Sequence, residues 1–160
     1  MPDHASAHHY LVHSYETIGR IDKALAHGEA FARLSPSIPH AAHMWAHDLR
    51  RVGRIDEAIA QFQKALRSPE GRLKTSEQLG IAFFEKSQYA IAEAVLHRAI
   101  DSLPGADDQK IGLLYWLGRA FEAQQRGREA LPLYERALAV DIRFLDLGER
   151  VKRLATGVGS

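Results

Sequence analysis

The chain repeats itself with a period of about 34 residues, and this period constrains the fold more than any single motif. The segment GRIDKALA at residues 19–26 recurs as GRIDEAIA at residues 53–60. The same register continues with EQLGIAFFEKSQYAIAEAVLHRAI from Glu77, and a last copy begins at Tyr115 after four inserted residues. Such self-similarity is typical of proteins in which one small unit stacks on its neighbours. We therefore divide a single domain over residues 1–160 into repeats at about 5–38, 39–72, 73–110 and 111–142.

Each repeat has the pattern of two helices joined by a short turn. In the third copy, Leu79, Ala82 and Phe83 recur at the spacing that places residues on one side of a helix. Gly19 and Gly53 occupy the corresponding turns of the first two copies, where tolerance of positive φ is useful. No segment alternates with a period of two for long enough to predict a strand. The sequence therefore predicts an all-α fold.

These positions resemble the tetratricopeptide repeat family, whose pattern combines a Leu-Gly pair, an aromatic residue, two alanines around a bulky residue, and a proline. The second, third and fourth copies match as Trp45, Ala46, Leu49, Ala58, Phe62 and Ala65; Leu79, Gly80, Phe83, Ala92, Leu96, Ala99 and Pro104; and Leu114, Leu117, Gly118, Phe121, Ala130, Tyr134 and Ala137. The resemblance covers roughly residues 5–142 and is to a bacterial type with histidine-rich first repeats. It implies a right-handed superhelical α-solenoid of about four helix-turn-helix units.

Both ends of the chain fit this pattern less closely. The first copy has Gly28 where the others are bulky and Phe31 where they have alanine, which leaves the register of its second helix open. Pro2 corresponds to Pro69 of the second repeat, so both a complete chain and a piece of a longer array stay open. Residues 143–155 have a helical pattern, and the resemblance implies that they form the capping helix of the array.

Composition excludes several classes of protein. Lys and Arg number 21 against 20 Asp and Glu, so the chain lacks the basic footprint of a nucleic-acid-binding protein. The absence of cysteine excludes disulfides, thiolate metal sites and cysteine nucleophiles. No apolar run reaches the about 18 residues of a membrane span, and the start lacks the regions of a secretory signal. We therefore expect a soluble protein, with the cytoplasm favoured over the periplasm as its compartment.

Histidine is the one residue type that is unevenly spread. Eight of the nine histidines lie in the first 47 residues, and HAAHMWAHDL at 40–49 sets three of them on about one side of a helix. The family resemblance implies that the first helix of each repeat lines a concave groove. The residues implied there are His9, His13, Glu16, His40, His43, His47, Arg50, Arg51, Lys74, Glu77, Phe84, Tyr115, Arg119 and Glu122.

The resemblance implies that this groove holds an extended or helical segment of a partner protein. Some members of the family grip an acidic C-terminus with a carboxylate clamp of Lys, Asn and Arg, but His9, His13 and His43 stand at those positions. Arg50, Arg51 and Arg119 retain the ability to hold a carboxylate by bidentate hydrogen bonds. We therefore expect a scaffold for a protein or peptide.

Two alternatives concern the histidines themselves. His9 with His13, and His43 with His47, are i,i+4 pairs that together could bind one Zn, Cu or Ni ion, with His40 as a further nitrogen ligand. The simpler alternative is a polar groove lining that needs no cofactor, in which the imidazoles bond to each other, to Glu16 or to water. An enzyme is not expected, because the sequence has no glycine-rich phosphate loop, nucleophile elbow or HExxH string.

Overall fold

A computed structural model of the chain describes residues 4–157, and Pro2 lies outside this range. Within it the chain is all-α, as the sequence predicts, and carries no strand. Four helical hairpins follow one another, and a last helix comes after them. The helices are α1 (Ala5–Thr17), α2 (Ile21–Leu34), α3 (Pro39–Arg51), α4 (Ile55–Ala65), α5 (Arg72–Glu85), α6 (Tyr89–Ser102), α7 (Ile111–Ala123), α8 (Gly127–Val140) and α9 (Leu147–Ala155).

The chain divides into two compact units, and the single domain over residues 1–160 stays a prediction from the sequence. Unit 1 runs from Met1 to Gln78 and contains the hairpins α1–α2 and α3–α4 and the beginning of α5. Unit 2 runs from Leu79 to Ser160 and contains the rest of α5, then α6, the hairpin α7–α8 and α9. Among the described residues, no helix is long and apolar enough to cross a membrane.

The turn inside each hairpin has the same backbone conformation. Gly19 and Gly53 have φ of 73° and 83°, in agreement with the sequence prediction for these turns. Ser87 and Gln125 occupy the equivalent places in the third and fourth hairpins, and both have φ of 59°. Because a side chain disfavours this left-handed region, the last two turns are strained where the first two are not.

Close packing of small against bulky residues joins the two helices of a hairpin. A Cβ placed on Gly80 would overlap Leu96, and one placed on Gly118 would overlap the ring of Tyr134. Both bulky side chains are fully buried. The glycines of the repeat pattern therefore mark positions where the two helices of a hairpin lie so close together that a methyl group does not fit.

In the first hairpin, large and small side chains occupy different positions from those in the later hairpins, which accounts for its unusual sequence. Val12 of α1 is buried where the later hairpins have Gly80 and Gly118, and Gly28 of α2 stands where they have a bulky residue. Phe31 fills the core one turn further along α2. The register of α2 thus follows that of the other second helices, with the large and small residues exchanged across the helix pair.

The capping helix α9 begins at Leu147, four residues later than the sequence predicts. The residues before it are not helical, and Leu145 has φ of 47°. Leu147 is fully buried and anchors the start of the helix. Phe144 and Asp146, in the connection, both contact Tyr115 of α7. The connection therefore packs against the fourth hairpin before the helix starts.

Candidate functional site

Five histidines share one face of unit 1, which we call the histidine face: His9, His13, His40, His43 and His47. Two lie on α1 and three on α3, at spacings that keep each set on one side of its helix. The ring centroids of His9 lie 5.0 Å from His13 and 5.3 Å from His40, and both pairs meet edge to face. The two first helices of unit 1 therefore bring imidazoles from different repeats into contact.

The grouping of these rings differs from the four-histidine set that the sequence predicts. Nitrogen atoms of His9, His13 and His40 all lie within 4.8 Å of one another. His43 and His47 are outside that group. The i,i+4 spacing assigns residues to a helix face, but the crossing of α1 and α3 decides which turn meets which, and His9 meets the first turn of α3.

His43 is instead engaged in packing and in a hydrogen bond. Its Nδ1 lies 3.0 Å from Oγ1 of Thr75, and its ring meets Phe62 edge to face. Burial, with smaller contributions from the neighbouring His47, His40 and Lys74, lowers the pKa of His43 to about 4. His43 is therefore neutral near pH 7.

Glu16 connects the remaining residues of this face. Its carboxylate accepts a hydrogen bond of 3.1 Å from Nη1 of Arg51. Nδ1 of His13 lies 3.4 Å away from it, and Nδ1 of His47 lies 3.9 Å away. Burial lowers the pKa of His47, Arg50 and Arg51 lower it further, and Glu16 opposes them. Glu16 thus holds side chains of α1 and α3 in one network.

Asp48 is a functional-site residue that the sequence analysis missed. Its side chain is fully buried, and neither carboxylate oxygen receives a hydrogen bond from a donor among residues 4–157. It lies beside Glu16 and His47, with ligand atoms of all three within 4.8 Å of one another. Burial raises the pKa of Asp48 to about 7, and the carboxylate of Glu16 adds to the increase. The available signal was its position three and four residues after Trp45 and Met44, on the apolar side of α3.

An open cavity of 480 Å³ lies where α3 and α5 begin. His40 and His43 line it from α3, and Lys74 and Thr75 line it from α5. The remaining lining residues are Ile38, Pro39, Glu70 and Gly71. Two helix N-termini and a lysine thus face a space that is large enough for side chains of a partner. Glu77, one turn after Lys74, is half-buried, and burial raises its pKa.

In unit 2, Arg119 lies over a cluster of aromatic rings, which we call the aromatic platform: Phe84, Tyr115 and Trp116. The guanidinium carbon is 5.2 Å, 5.8 Å and 5.3 Å from the three ring centroids. Its Nη1 donates a hydrogen bond of 3.1 Å to the hydroxyl of Tyr115. Arg119 forms no ion pair with a carboxylate in the part of the chain that the structure describes. Its remaining donors are therefore available for a ligand.

Two residues of the predicted groove are occupied by the C-terminal segment instead. Tyr115 is 3% exposed and donates a hydrogen bond of 2.7 Å to Asp146. Glu122 accepts hydrogen bonds of 2.7 Å from Arg150 and 3.0 Å from Arg153, both on α9. The prediction treated all four repeats alike, but the cap covers this part of the last one. These two residues hold the cap in place within unit 2.

A further histidine pair lies outside the histidine face. Nδ1 of His8 and Nδ1 of His27 are 2.8 Å apart, and the ring of His27 stacks on Tyr15. The pair joins α1 to α2 rather than to α3. It involves two imidazoles only and is a structural contact between the helices of the first hairpin.

The chain resembles known proteins in sequence and in fold. A tetratricopeptide repeat model matches residues 43–107 and again 77–143, which together span more than half of the chain. None of the curated protein sequences matches it. Among similar structures is MamA from Desulfovibrio magneticus RS-1, with a TM-score of 0.80, 19% identity, and coverage of 98% of this chain and 86% of that one.

Two further structures have the same fold. PilF of Pseudomonas aeruginosa has a TM-score of 0.83 at 18% identity, and the match covers 96% of this chain and 68% of that one. YrrB, described as a TPR protein with an unusual peptide-binding site, has a TM-score of 0.73 at 18% identity, with coverage of 97% and 78%. These similarities confirm the α-solenoid fold class. The chain belongs to the tetratricopeptide repeat family.

Proposed function

We propose that the chain is a non-catalytic interaction scaffold that holds a segment of a partner protein against its first helices. The observation that carries the proposal is the open cavity at the beginnings of α3 and α5, which adjoins the histidine face. Polar side chains from successive repeats line it together with Ile38 and Pro39. A segment lying there would meet hydrogen-bonding groups and an apolar surface at the same time.

The second helices support this assignment because their large side chains are used within the fold. Phe62, Leu96 and Tyr134 are fully buried against the first helices of their own hairpins. In unit 1 the histidine face and the open cavity both lie on α1, α3 and the start of α5. YrrB shares this fold, and its description as a peptide-binding TPR protein favours the same use of the fold in this chain.

The charges favour a partner segment that carries a carboxylate. In unit 1, Lys74 and two helix N-termini face the cavity, and His43 beside them is neutral near pH 7. In unit 2, Arg119 presents its guanidinium on the aromatic platform without a carboxylate of the described chain. A carboxylate would accept charge-assisted hydrogen bonds from either cation. Arg51, which the sequence analysis offered for this role, is bonded to Glu16.

A peptide display experiment tests the proposal with the full chain. Libraries with free C-termini and with internal segments are selected against it in the presence of EDTA, and dissociation constants of the selected peptides are measured by fluorescence anisotropy. We expect Lys74→Glu or Arg119→Glu to weaken binding at least tenfold, which corresponds to about 1.4 kcal/mol.

Matched charge reversals on second helices serve as controls. Lys64 on α4 and Arg128 on α8 are both exposed. Lys64→Glu and Arg128→Glu change the net charge by the same amount as the test variants, and we expect both to leave binding nearly unchanged. Equal losses in test and control variants would show a non-specific charge effect and contradict the proposal, as would the absence of any selected peptide.

A further inference from the structure

We propose that His9, His13 and His40 form a binding site for one late divalent transition-metal ion in unit 1. Their nitrogen atoms are within 4.8 Å of one another, and the three rings are in edge-to-face contact around His9. The site differs from the four-histidine set that the sequence predicts. His40 also lines the cavity of the proposed function, but the metal site is tested without a peptide.

The distances require only small adjustments of the side chains. Imidazole nitrogens bind zinc at about 2.0 to 2.1 Å, so two ligands on one tetrahedral ion lie about 3.4 Å apart. His13 and His40 are exposed, and their side chains have space to rotate. His9 is the more restricted ligand, because its ring also packs against Phe31 at 5.4 Å between centroids. Rotation of the His13 and His40 side chains can therefore bring their nitrogen atoms to an ion bound by the more restricted His9.

One ring nitrogen of His9 is buried without a hydrogen-bond partner among the described residues. This atom, Nε2, is inaccessible to solvent. A buried polar nitrogen without a partner is costly, and a native fold rarely retains one without a reason. Coordination by the ring of His9 is one way to offset that cost.

Glu16 supplies the group that commonly orients a ligating imidazole. Its carboxylate lies 3.4 Å from Nδ1 of His13, and Arg51 holds it by a hydrogen bond of 3.1 Å. Metal-bound histidines usually direct their second ring nitrogen to a carboxylate or carbonyl, which fixes the tautomer and the ring orientation. With Nδ1 directed to Glu16, Nε2 of His13 is the nitrogen that can bind the ion.

The ligand set restricts the kind of ion. Three neutral imidazoles without thiolate suit Zn²⁺, Cu²⁺, Ni²⁺ or Co²⁺ and disfavour Ca²⁺ and Mg²⁺, which prefer oxygen ligands. A set of three also leaves at least one coordination position to water or to a ligand from outside the chain. The site is therefore of the open type.

The test uses tag-free, chelator-treated full chain titrated separately with ZnCl₂, NiCl₂ and CuCl₂ in a calorimeter. We expect one ion per chain. His13→Ala plus His40→Ala removes two of the three ligands and should weaken binding at least about 100-fold, since loss of a mere orienting group costs 10- to 100-fold. Both residues are exposed, so the variant should keep its helical circular dichroism.

Two further double variants make the result specific. His8→Ala plus His27→Ala removes the same number of imidazoles from unit 1 without touching the site, and His43→Ala plus His47→Ala tests the set predicted from the sequence. We expect both to bind the ion nearly as the parent chain does. Absence of binding by the parent chain, undiminished binding by the His13 and His40 variant, or loss confined to either other variant would overturn the proposal.

Discussion

Asp48 shows how strongly one buried side chain can depend on its neighbours. Glu16 faces it from α1, His47 and Arg51 lie near it on α3, and α2 contributes only the backbone of Gly28. The structure provides no donor hydrogen bond among the described residues, so the protonated form is the one that can bond to Glu16. The raised pKa of Asp48 is therefore a property of the first two repeats together.

This raised pKa predicts that the contribution of Asp48 to stability falls as the pH increases. The unfolded chain releases the Asp48 proton near pH 3.8, whereas the folded chain retains it to about pH 7. Between these values Asp48 decreases the free energy of unfolding by up to about 1.4 kcal/mol per pH unit, and the lowered pKa of His43 acts in the opposite direction. We therefore expect the stability of Asp48→Asn to rise more with pH than that of the parent chain in urea unfolding from pH 4.5 to 8. Identical slopes in the parent and the variant would contradict the assignment.

In the hairpins, two of the four turns place a residue other than glycine in a conformation that favours glycine. Gly19 and Gly53 could be assigned to turns with positive φ because glycine favours that conformation. Ser87 and Gln125 adopt it too, but neither residue type indicates it, and only the repeat register places them there. The packing of the two helices in each hairpin enforces the turn in spite of its strain.

We expect glycine in the strained turns to stabilise the protein. Ser87→Gly or Gln125→Gly relieves the cost of a left-handed side-chain residue, and after the entropy of the unfolded glycine is counted the gain is about 0.5 to 1 kcal/mol. Gly53→Ala, the reverse change in an equivalent turn, should destabilise by a similar or larger amount. Thermal unfolding of the three variants measures the expected gain in stability of the first two and the expected loss in the third. A loss of stability in Ser87→Gly would refute the interpretation.

The close approach inside the hairpins gives a second prediction. Gly118→Ala places a methyl group where the buried ring of Tyr134 lies, and we expect it to destabilise by about 1 to 3 kcal/mol. Gly148 in α9 has nothing within 4 Å of an added Cβ. Gly148→Ala should therefore stabilise by up to about 1 kcal/mol through helix propensity. If denaturant unfolding shows the same change for both, the packing argument fails.

At the scale of the whole molecule, the contacts of α9 with the fourth hairpin matter for stability. Arg150 of α9 is largely buried and donates hydrogen bonds to Asp146 and Glu122. Tyr115 joins the same network through Asp146. This arrangement satisfies groups that would be open in an uncapped repeat. It also explains why Tyr115 and Glu122 do not contribute an open surface in unit 2.

Arg150→Ala should therefore destabilise the protein by about 1 to 3 kcal/mol, because it removes a largely buried cation from Glu122, which keeps Arg153, and from the partly exposed Asp146. Arg143, in the connection before α9, is exposed, and we expect Arg143→Ala to change stability by no more than about 0.5 kcal/mol. Equilibrium denaturation measures the difference. An Arg150→Ala variant as stable as Arg143→Ala would mean that the network contributes little.

The repeat period made the fold class and the hairpin turns predictable, because each depends on local spacing. The site was only partly predictable. The family resemblance placed His9, His13 and His40 on the groove side of the first helices, but it could not tell that His40 rather than His43 meets His9. That choice depends on how α1 crosses α3.

Asp48 and the cap were missed for related reasons. A buried carboxyl group on an apolar helix side takes its protonation state from burial and from contacts that are distant in sequence, here with Glu16. The cap contacts of Glu122 likewise come from Arg150 and Arg153, which lie outside the repeats. Such contacts arise from packing between elements and leave no signal in the repeat pattern.

We propose that the first helices bind the partner segment and that the second helices serve the packing of each hairpin. Amide chemical-shift mapping of the ¹⁵N-labelled chain with a selected peptide, in EDTA, tests this proposal most directly. We predict that the largest changes fall in α1, α3, α5 and α7, with those at the start of α3 and α5 among the strongest. Largest changes on the exposed sides of α2, α4, α6 and α8 would contradict the account.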